Sequence, residues 1–179
     1  MCQKLPLCRL TLTAAVAAVA LLIGSAENGT DSLLLAQGDR RTNYSRIEDG
    51  LYLGGRIEEP PPGTRAVLNV CTYRDPYKVE FHRWDPIIDA PPGPGIDWLR
   101  QQVAFIDEQR RAGRTVYVHC SAGISRGPTV MAAYLMWRDG VRRDDALEVL
   151  RKRRPVVEPN PTFMRLLAEW EKTVKKANS

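Results

Sequence analysis

Histidine is almost missing from this 179-residue chain, in which His82 and His119 are the only two. Cysteine is scarce as well: Cys2 and Cys8 lie at the very start, Cys71 and Cys120 in the body, and no Cys-x-x-Cys pair occurs. So few ligands, at no recognisable spacing, exclude a zinc centre of the usual kind, and two cysteines in the body make no disulfide framework. A dense stripe of one charge sign is also lacking. The 26 basic and 21 acidic residues give a formal net charge of +5 and a pI near 9.2. The net positive charge suits phosphorylated or otherwise acidic partners, but the surface is mixed, and no nucleic acid is expected. At 44% hydrophobic content the chain can bury one sizeable core but is too short for two ordinary domains. No internal repeat is visible.

Charge is absent from Leu10 to Ile23, an Ala/Leu/Val-rich run preceded by Lys4 and Arg9 and followed by Gly24-Ser25-Ala26. That is the layout of a secretory signal peptide cleaved before Glu27. The run also approaches the roughly 20 residues that span a bilayer, so an uncleaved anchor is the alternative. Residues 1–26 are therefore read as signal peptide or membrane anchor, 27–42 as a polar leader, and 43–176 as the folded domain. The expected location is exported, periplasmic or secreted, or else membrane-anchored. Membrane contact is expected only if the segment stays uncleaved.

Within the folded part, Ile47 and Leu51-Tyr52-Leu53 flank Glu48-Asp49-Gly50, which predicts a β-hairpin. Ala66 to Val70 reads as a buried strand, and a further extended piece covers Phe81 to Ile88. The prolines of Asp89-Ala90-Pro91-Pro92-Gly93-Pro94-Gly95 force a loop. Apolar Leu99, Val103 and Ile106 recur at helical spacing from Ile96 to Arg110-Arg111, where basic residues and Gly113 suit a helix end. Thr115 to Val118 follows as a strand. Helices are then expected from Arg126 to Arg138, from Asp144 to Arg153, and from Asn160-Pro161 onward with Phe163, Leu166, Leu167, Trp170 and Val174 on one face. Strands alternating with helices point to an α/β domain.

The chemistry sits in His119-Cys120-Ser121-Ala122-Gly123-Ile124-Ser125-Arg126, between a strand and a helix. A loop of small residues there can curl until its backbone N–H groups converge, and the helix behind it adds its own unpaired N–H groups and positive dipole end. Such a cradle binds a tetrahedral dianion. Amide donors and Arg126 would stabilise the thiolate of Cys120 and make it a nucleophile. The planar fork of Arg126 can hold two phosphoryl oxygens, which a lysine cannot. His119 is expected to orient the loop by hydrogen bonding without transferring protons. Singly, a buried structural thiol and a solvated helix arginine are the commoner readings of such residues. On one strand, loop and helix they read together as a phosphate site.

His119-Cys120-x-x-Gly123-x-x-Arg126 resembles the signature loop of the protein-tyrosine phosphatase superfamily, and its surroundings resemble the dual-specificity branch. The likeness runs from about Ser45 to Glu171, through the Ser45–Gly54 hairpin, Val67-Leu68-Asn69-Val70, Arg154-Pro155, Pro159-Asn160 and Phe163. It implies a central, largely parallel sheet of about five strands flanked by helices on both faces. It also implies hydrolysis of phosphate monoesters through a phosphocysteine on Cys120, with no metal or cofactor, acting as a monomer on phosphorylated proteins. A phospholipid substrate, such as a phosphoinositide or phosphatidylglycerophosphate, and a weakly active phosphate-binding module are the alternatives. Members of the branch carry a general acid on a loop roughly thirty residues before the nucleophile, which fits Asp89; Asp85 is its rival, and Asp97 falls on a helix.

One departure stands out. The family usually places Ser or Thr after the arginine, where its hydroxyl stabilises the departing thiolate; here Gly127 stands there. Breakdown of the phosphocysteine is therefore expected to be slow relative to its formation. Cys71 reads first as a small buried residue, and second as a redox partner able to form a reversible disulfide with Cys120. The loop residues from Ser121 to Ser125 carry no positive charge, which favours phosphoproteins over inositides, and no tyrosine-clamping loop is apparent.

Overall fold

The computed structural model describes residues 43–177. The signal or anchor segment and the polar leader lie outside them. Five strands and four helices follow in the order β1 (Tyr44–Glu48), β2 (Leu51–Gly54), β3 (Thr64–Asn69), β4 (Phe81–Trp84), α1 (Ile96–Arg111), β5 (Thr115–His119), α2 (Arg126–Asp139), α3 (Arg143–Arg153) and α4 (Pro161–Ala177). Among the described residues no helix is long and apolar enough to cross a membrane.

The strands form one sheet in the order β1-β2-β5-β3-β4. β1 and β2 are the expected hairpin, antiparallel with a bulge between Arg46 and Glu48; β2, β5, β3 and β4 run parallel. Parallel strands buried on both faces need continuous apolar runs, and β3 and β5 supply them. Side chains alternate across a strand. Leu51, Leu53, Ala66, Leu68, Val116 and Val118 therefore share one face, where they join residues of all four helices in a single core. Tyr117 and His119 point the other way. There the sheet is covered, among the described residues, by the segment between β3 and β4, whose Asp75 bonds His119. Of the helices expected on both faces, the described ones all gather on one.

α2 is the hub of that layer. Its residues from Arg126 to Met136 are all buried, as expected of a helix surrounded on every side. Gly140, in the left-handed region at φ 66°, ends it. α4 lays Phe163, Leu166, Leu167, Trp170 and Val174 into the core, the face anticipated from its spacing, and Trp170 Nε1 donates to the Ala133 carbonyl of α2 at 3.0 Å. Arg110 of α1 donates to the carbonyls of Asp49 and Gly50, tying the hairpin turn to the helical layer. The extended piece expected over Phe81 to Ile88 is a strand only to Trp84. Pro86 lacks an N–H, so beyond it the pairing weakens to single bonds such as Ile87 N to Val70 O at 3.4 Å.

In register, His119 at the end of β5 lies between Gly54 at the end of β2 and Asn69 at the end of β3. The carboxyl ends of parallel strands thus meet beside Cys120, the edge of an α/β sheet where ligand sites form.

Candidate active site

From Ser121 to Ser125 the chain makes a loop whose every carbonyl is held from outside. Ser121 O accepts from Arg56 N at 2.9 Å, and Ile124 O from Glu158 N at 2.8 Å. Ala122 O and Gly123 O accept from the Arg154 guanidinium at 2.7 and 2.8 Å. Ser125 O takes the backbone N–H and the hydroxyl of Thr129. With the carbonyls turned outward, the amides of Ser121 to Arg126 find no protein acceptor among the described residues. Such a row of free N–H groups ahead of a helix is a nest for an anion. Gly123 makes the curl possible: its φ is +68°, and a Cβ there would lie 2.4 Å from the Gly54 carbonyl carbon.

Arg154 is the residue that the sequence did not single out as part of the site. It is 7% exposed, and its remaining bond goes to Asn43 Oδ1 at 2.9 Å. No carboxylate pairs with it among the described residues. Burial pushes its guanidinium below the ordinary value, while the negative charge that Tyr117 and Cys120 would carry when ionised opposes that shift. A guanidinium keeps its proton throughout. An uncompensated cation thus backs the loop, where a thiolate or phosphate would be its nearest complement.

Cys120 is buried and unpaired at the base of the loop, its N–H bonded to Gly54 O at 3.3 Å. Arg126, the first residue of α2, is 8% exposed; Nη1 donates to Ile87 O at 3.0 Å and Nη2 to Ser121 Oγ at 2.9 Å. Of the three candidate acids, the structure brings Asp89 to this loop. Its Oδ2 lies 3.5 Å from Arg126 Nε, and its Oδ1 accepts from Ser125 Oγ at 2.8 Å and from Asn160 Nδ2 at 2.5 Å. Asp85 is bound elsewhere, by Gln102 Nε2 at 2.7 Å, and Asp97 pairs with Arg100 in the first turn of α1.

Ser125 is fully engaged, since its hydroxyl also accepts from Asn160 N at 3.1 Å. It does not stand in for the hydroxyl missing at Gly127. Cys71 Sγ touches Ser121 Oγ at 3.1 Å, so a free buried thiol lies one residue from the nucleophile.

Residues 65–173 match the family model described as "Dual specificity phosphatase, catalytic domain". Human dual specificity protein phosphatase 1 is 39% identical over 115 residues, which are 63% of this chain and 31% of that protein. The chain thus spans about a third of the length of the curated relatives it matches. Human DUSP28 in its crystal structure superposes with a TM-score of 0.68 at 27% identity, over 74% of this chain and 95% of its own. PTPMT1 in complex with PI(5)P has the same TM-score at 22% identity, over 76% of this chain and 99% of its own, a likeness of fold. The strand, outward-turned loop and buried arginine at Cys120 therefore have a family as well as a geometry: the chain belongs to the dual-specificity phosphatase catalytic-domain family.

Proposed function

We propose that the chain hydrolyses phosphate monoesters through a phosphocysteine on Cys120, chiefly phosphotyrosine and phosphoserine or phosphothreonine in proteins. The observation that carries this reading is the loop whose carbonyls from Ser121 to Ser125 are all bound from outside. The groups left for a phosphate dianion are amides, the Arg126 guanidinium and the Cys120 thiol.

In the first step the Cys120 thiolate attacks phosphorus, the bond to the leaving oxygen breaks, and Asp89 gives that oxygen its proton. Arg126 and the loop amides hold the equatorial oxygens as charge spreads over them. In the second step Asp89, now a carboxylate, takes a proton from water as the water oxygen attacks phosphorus. The sulfur–phosphorus bond breaks and the thiolate returns. With Gly127 after Arg126 and the Ser125 hydroxyl committed to Asp89, neither position flanking the arginine offers a hydroxyl to the departing sulfur, so the second step limits turnover.

Substrate follows from the loop's lack of cationic side chains between Cys120 and Arg126, which favours a single phosphate on a protein. A panel of phosphopeptides, phosphoinositides and phosphatidylglycerophosphate tests it; turnover of the lipids alone would reverse the assignment. Para-nitrophenyl phosphate separates an enzyme from a silent phosphate-binding module: turnover lost in Cys120→Ser supports the first, and none in the wild type supports the second. We further read residues 1–26 as directing export or anchoring, checked by fractionating cells that express the full chain. We read the domain as monomeric, checked by light scattering.

A further inference from the structure

Asp89 sits on an arm that leaves the sheet early. β4 ends at Trp84, Pro86 offers no N–H, Ile87 N reaches Val70 O only at 3.4 Å, and Ile88 is 72% exposed. The far end of the arm is held largely by the phosphate site itself. Arg126 Nη1 donates to Ile87 O at 3.0 Å, Arg126 Nε lies 3.5 Å from Asp89 Oδ2, and Ser125 Oγ donates to Asp89 Oδ1 at 2.8 Å. An incoming phosphate competes with the arm for that guanidinium.

The near end has a fastening that lies on α1, outside the Cys120 loop. Gln102, on the same buried face of α1 as Leu99, Val103 and Ile106, is 0% exposed. Its Nε2 donates to Asp85 Oδ2 at 2.7 Å and to the Trp98 carbonyl at 3.1 Å. Asp85 N in turn donates to Asn69 O at 3.0 Å, and Arg83 Nη2 lies 3.4 Å from the same carboxylate while donating to Gln101 Oε1 at 3.1 Å. The root of the arm is thus tied to a core helix and to the end of β3.

A carboxylate and a carbonyl oxygen only accept hydrogen bonds, so the amide nitrogen of Gln102 must face them and its oxygen must point away. That Oε1 is buried and has no hydrogen-bond partner among the described residues. A buried, unpartnered carbonyl lowers stability, so packing alone would favour an apolar side chain at this position. What the amide supplies is the pair of N–H bonds. We infer that Gln102 and Asp85 are positioning residues for the acid: their bond fixes the root of the arm to α1 and keeps Asp89 within reach of the leaving oxygen when phosphate draws on Arg126. A rigid element then carries the support of a catalytic group placed on a loop.

This inference rests on the reading of Asp89 as the acid, so its test compares leaving groups. Gln102→Met keeps the side chain's length and removes both its bonds and the unpartnered oxygen; it should melt no lower than the wild type. In single-turnover mixing, release of the alcohol from a phosphoserine peptide needs the acid's proton and should slow on the order of tenfold, whereas release of nitrophenol from para-nitrophenyl phosphate should change by less than about twofold. Inhibition by inorganic phosphate should stay as it was, because the Cys120 loop is untouched. Asp85→Ala should show the same loss as Gln102→Met, and the double variant no more than either alone. Asp85→Asn, which keeps an oxygen for Gln102 Nε2, should recover most of the rate. Alcohol and nitrophenol rates that fall together, an alcohol rate that does not fall, or losses that add in the double variant would overturn the inference. If Gln102→Met does not fold, Asp85→Ala decides by the same ratio of rates, its side chain being 32% exposed in the wild type. A wild type that does not turn over para-nitrophenyl phosphate sinks the phosphatase reading and this inference with it; turnover with an unchanged ratio in the variants sinks this inference alone.

Discussion

Asn160 Nδ2 donates to Asp89 Oδ1 at 2.5 Å, so the residue that opens α4 also grips the loop carrying the proposed acid. The same side chain caps the helix, its Oδ1 accepting from Phe163 N at 3.0 Å, with Pro161 at the first helical position. Two jobs on two atoms can be separated. Asn160→Asp keeps the capping oxygen but sets a second carboxylate against Asp89. It is expected to melt within about 1 kcal/mol of the wild type, since the cap survives. Its kcat on an alkyl phosphate, whose leaving group needs a proton, should fall on the order of tenfold, and much less on para-nitrophenyl phosphate. Equal losses on both substrates would detach Asn160 from the acid.

Gly127 packs closely against the backbone of the nucleophile, with just enough room for a Cβ. A Cβ there would meet Cys120 N, the His119 carbonyl carbon and Leu53 Cδ1, each at 3.4 Å, which is ordinary contact. Gly127→Ser should therefore fold, bring a hydroxyl beside Cys120, and raise steady-state kcat several-fold by speeding the second step. Single-turnover formation of phenol should not change. A variant with unaltered kcat would show that hydrolysis of the intermediate does not limit turnover.

Gly123 allows no such change. An alanine there would carry the strain of its positive φ, about 1–2 kcal/mol, and would drive its methyl group into the Gly54 carbonyl. Gly123→Ala is expected to lose about 3 kcal/mol or more by urea denaturation and nearly all activity. A stable, active Gly123→Ala would contradict the described loop.

How much of this was legible beforehand depends on sequence distance. His119, Cys120, Gly123 and Arg126 stand within eight positions, and their chemistry is readable because the loop is local. Asp89 came from the resemblance, and its bonds to Ser125 and Asn160 then distinguish it from Asp85. Arg154 was hidden in the basic run Arg151-Lys152-Arg153-Arg154, where only folding decides which guanidinium is buried. Asp75 was invisible: it lies 44 positions before His119 in a segment without periodicity, and nothing short of the tertiary structure brings both histidines onto it. The helices, whose apolar spacing is itself local, were placed to within a residue or two, whereas the second half of the expected Phe81–Ile88 strand is lost after Trp84, just ahead of Pro86.

Asp75 also predicts how stability responds to acid. Burial acts against its ionisation, yet hydrogen bonds from His119, Asn69 and His82 hold its folded carboxyl below the ordinary 3.8, so protons bind the unfolded chain more readily. The stabilisation is complete above that value and is lost as pH falls through the lower folded value. In urea titrations between about pH 5 and pH 2, Asp75→Asn should show a shallower loss of stability than the wild type. Parallel curves would mean that Asp75 carries no such linkage.

The central claim is a covalent phosphocysteine on Cys120, and rapid acid quench of the full chain mixed with an aryl phosphate, followed by mass mapping of its peptides, tests it most directly. We predict a phosphoryl group on the peptide containing Cys120, accumulating to a large fraction of the enzyme during a burst of phenol because its hydrolysis is slow. Phenol released from the first moment at the steady rate, with no phosphoryl group on that peptide, would contradict the account.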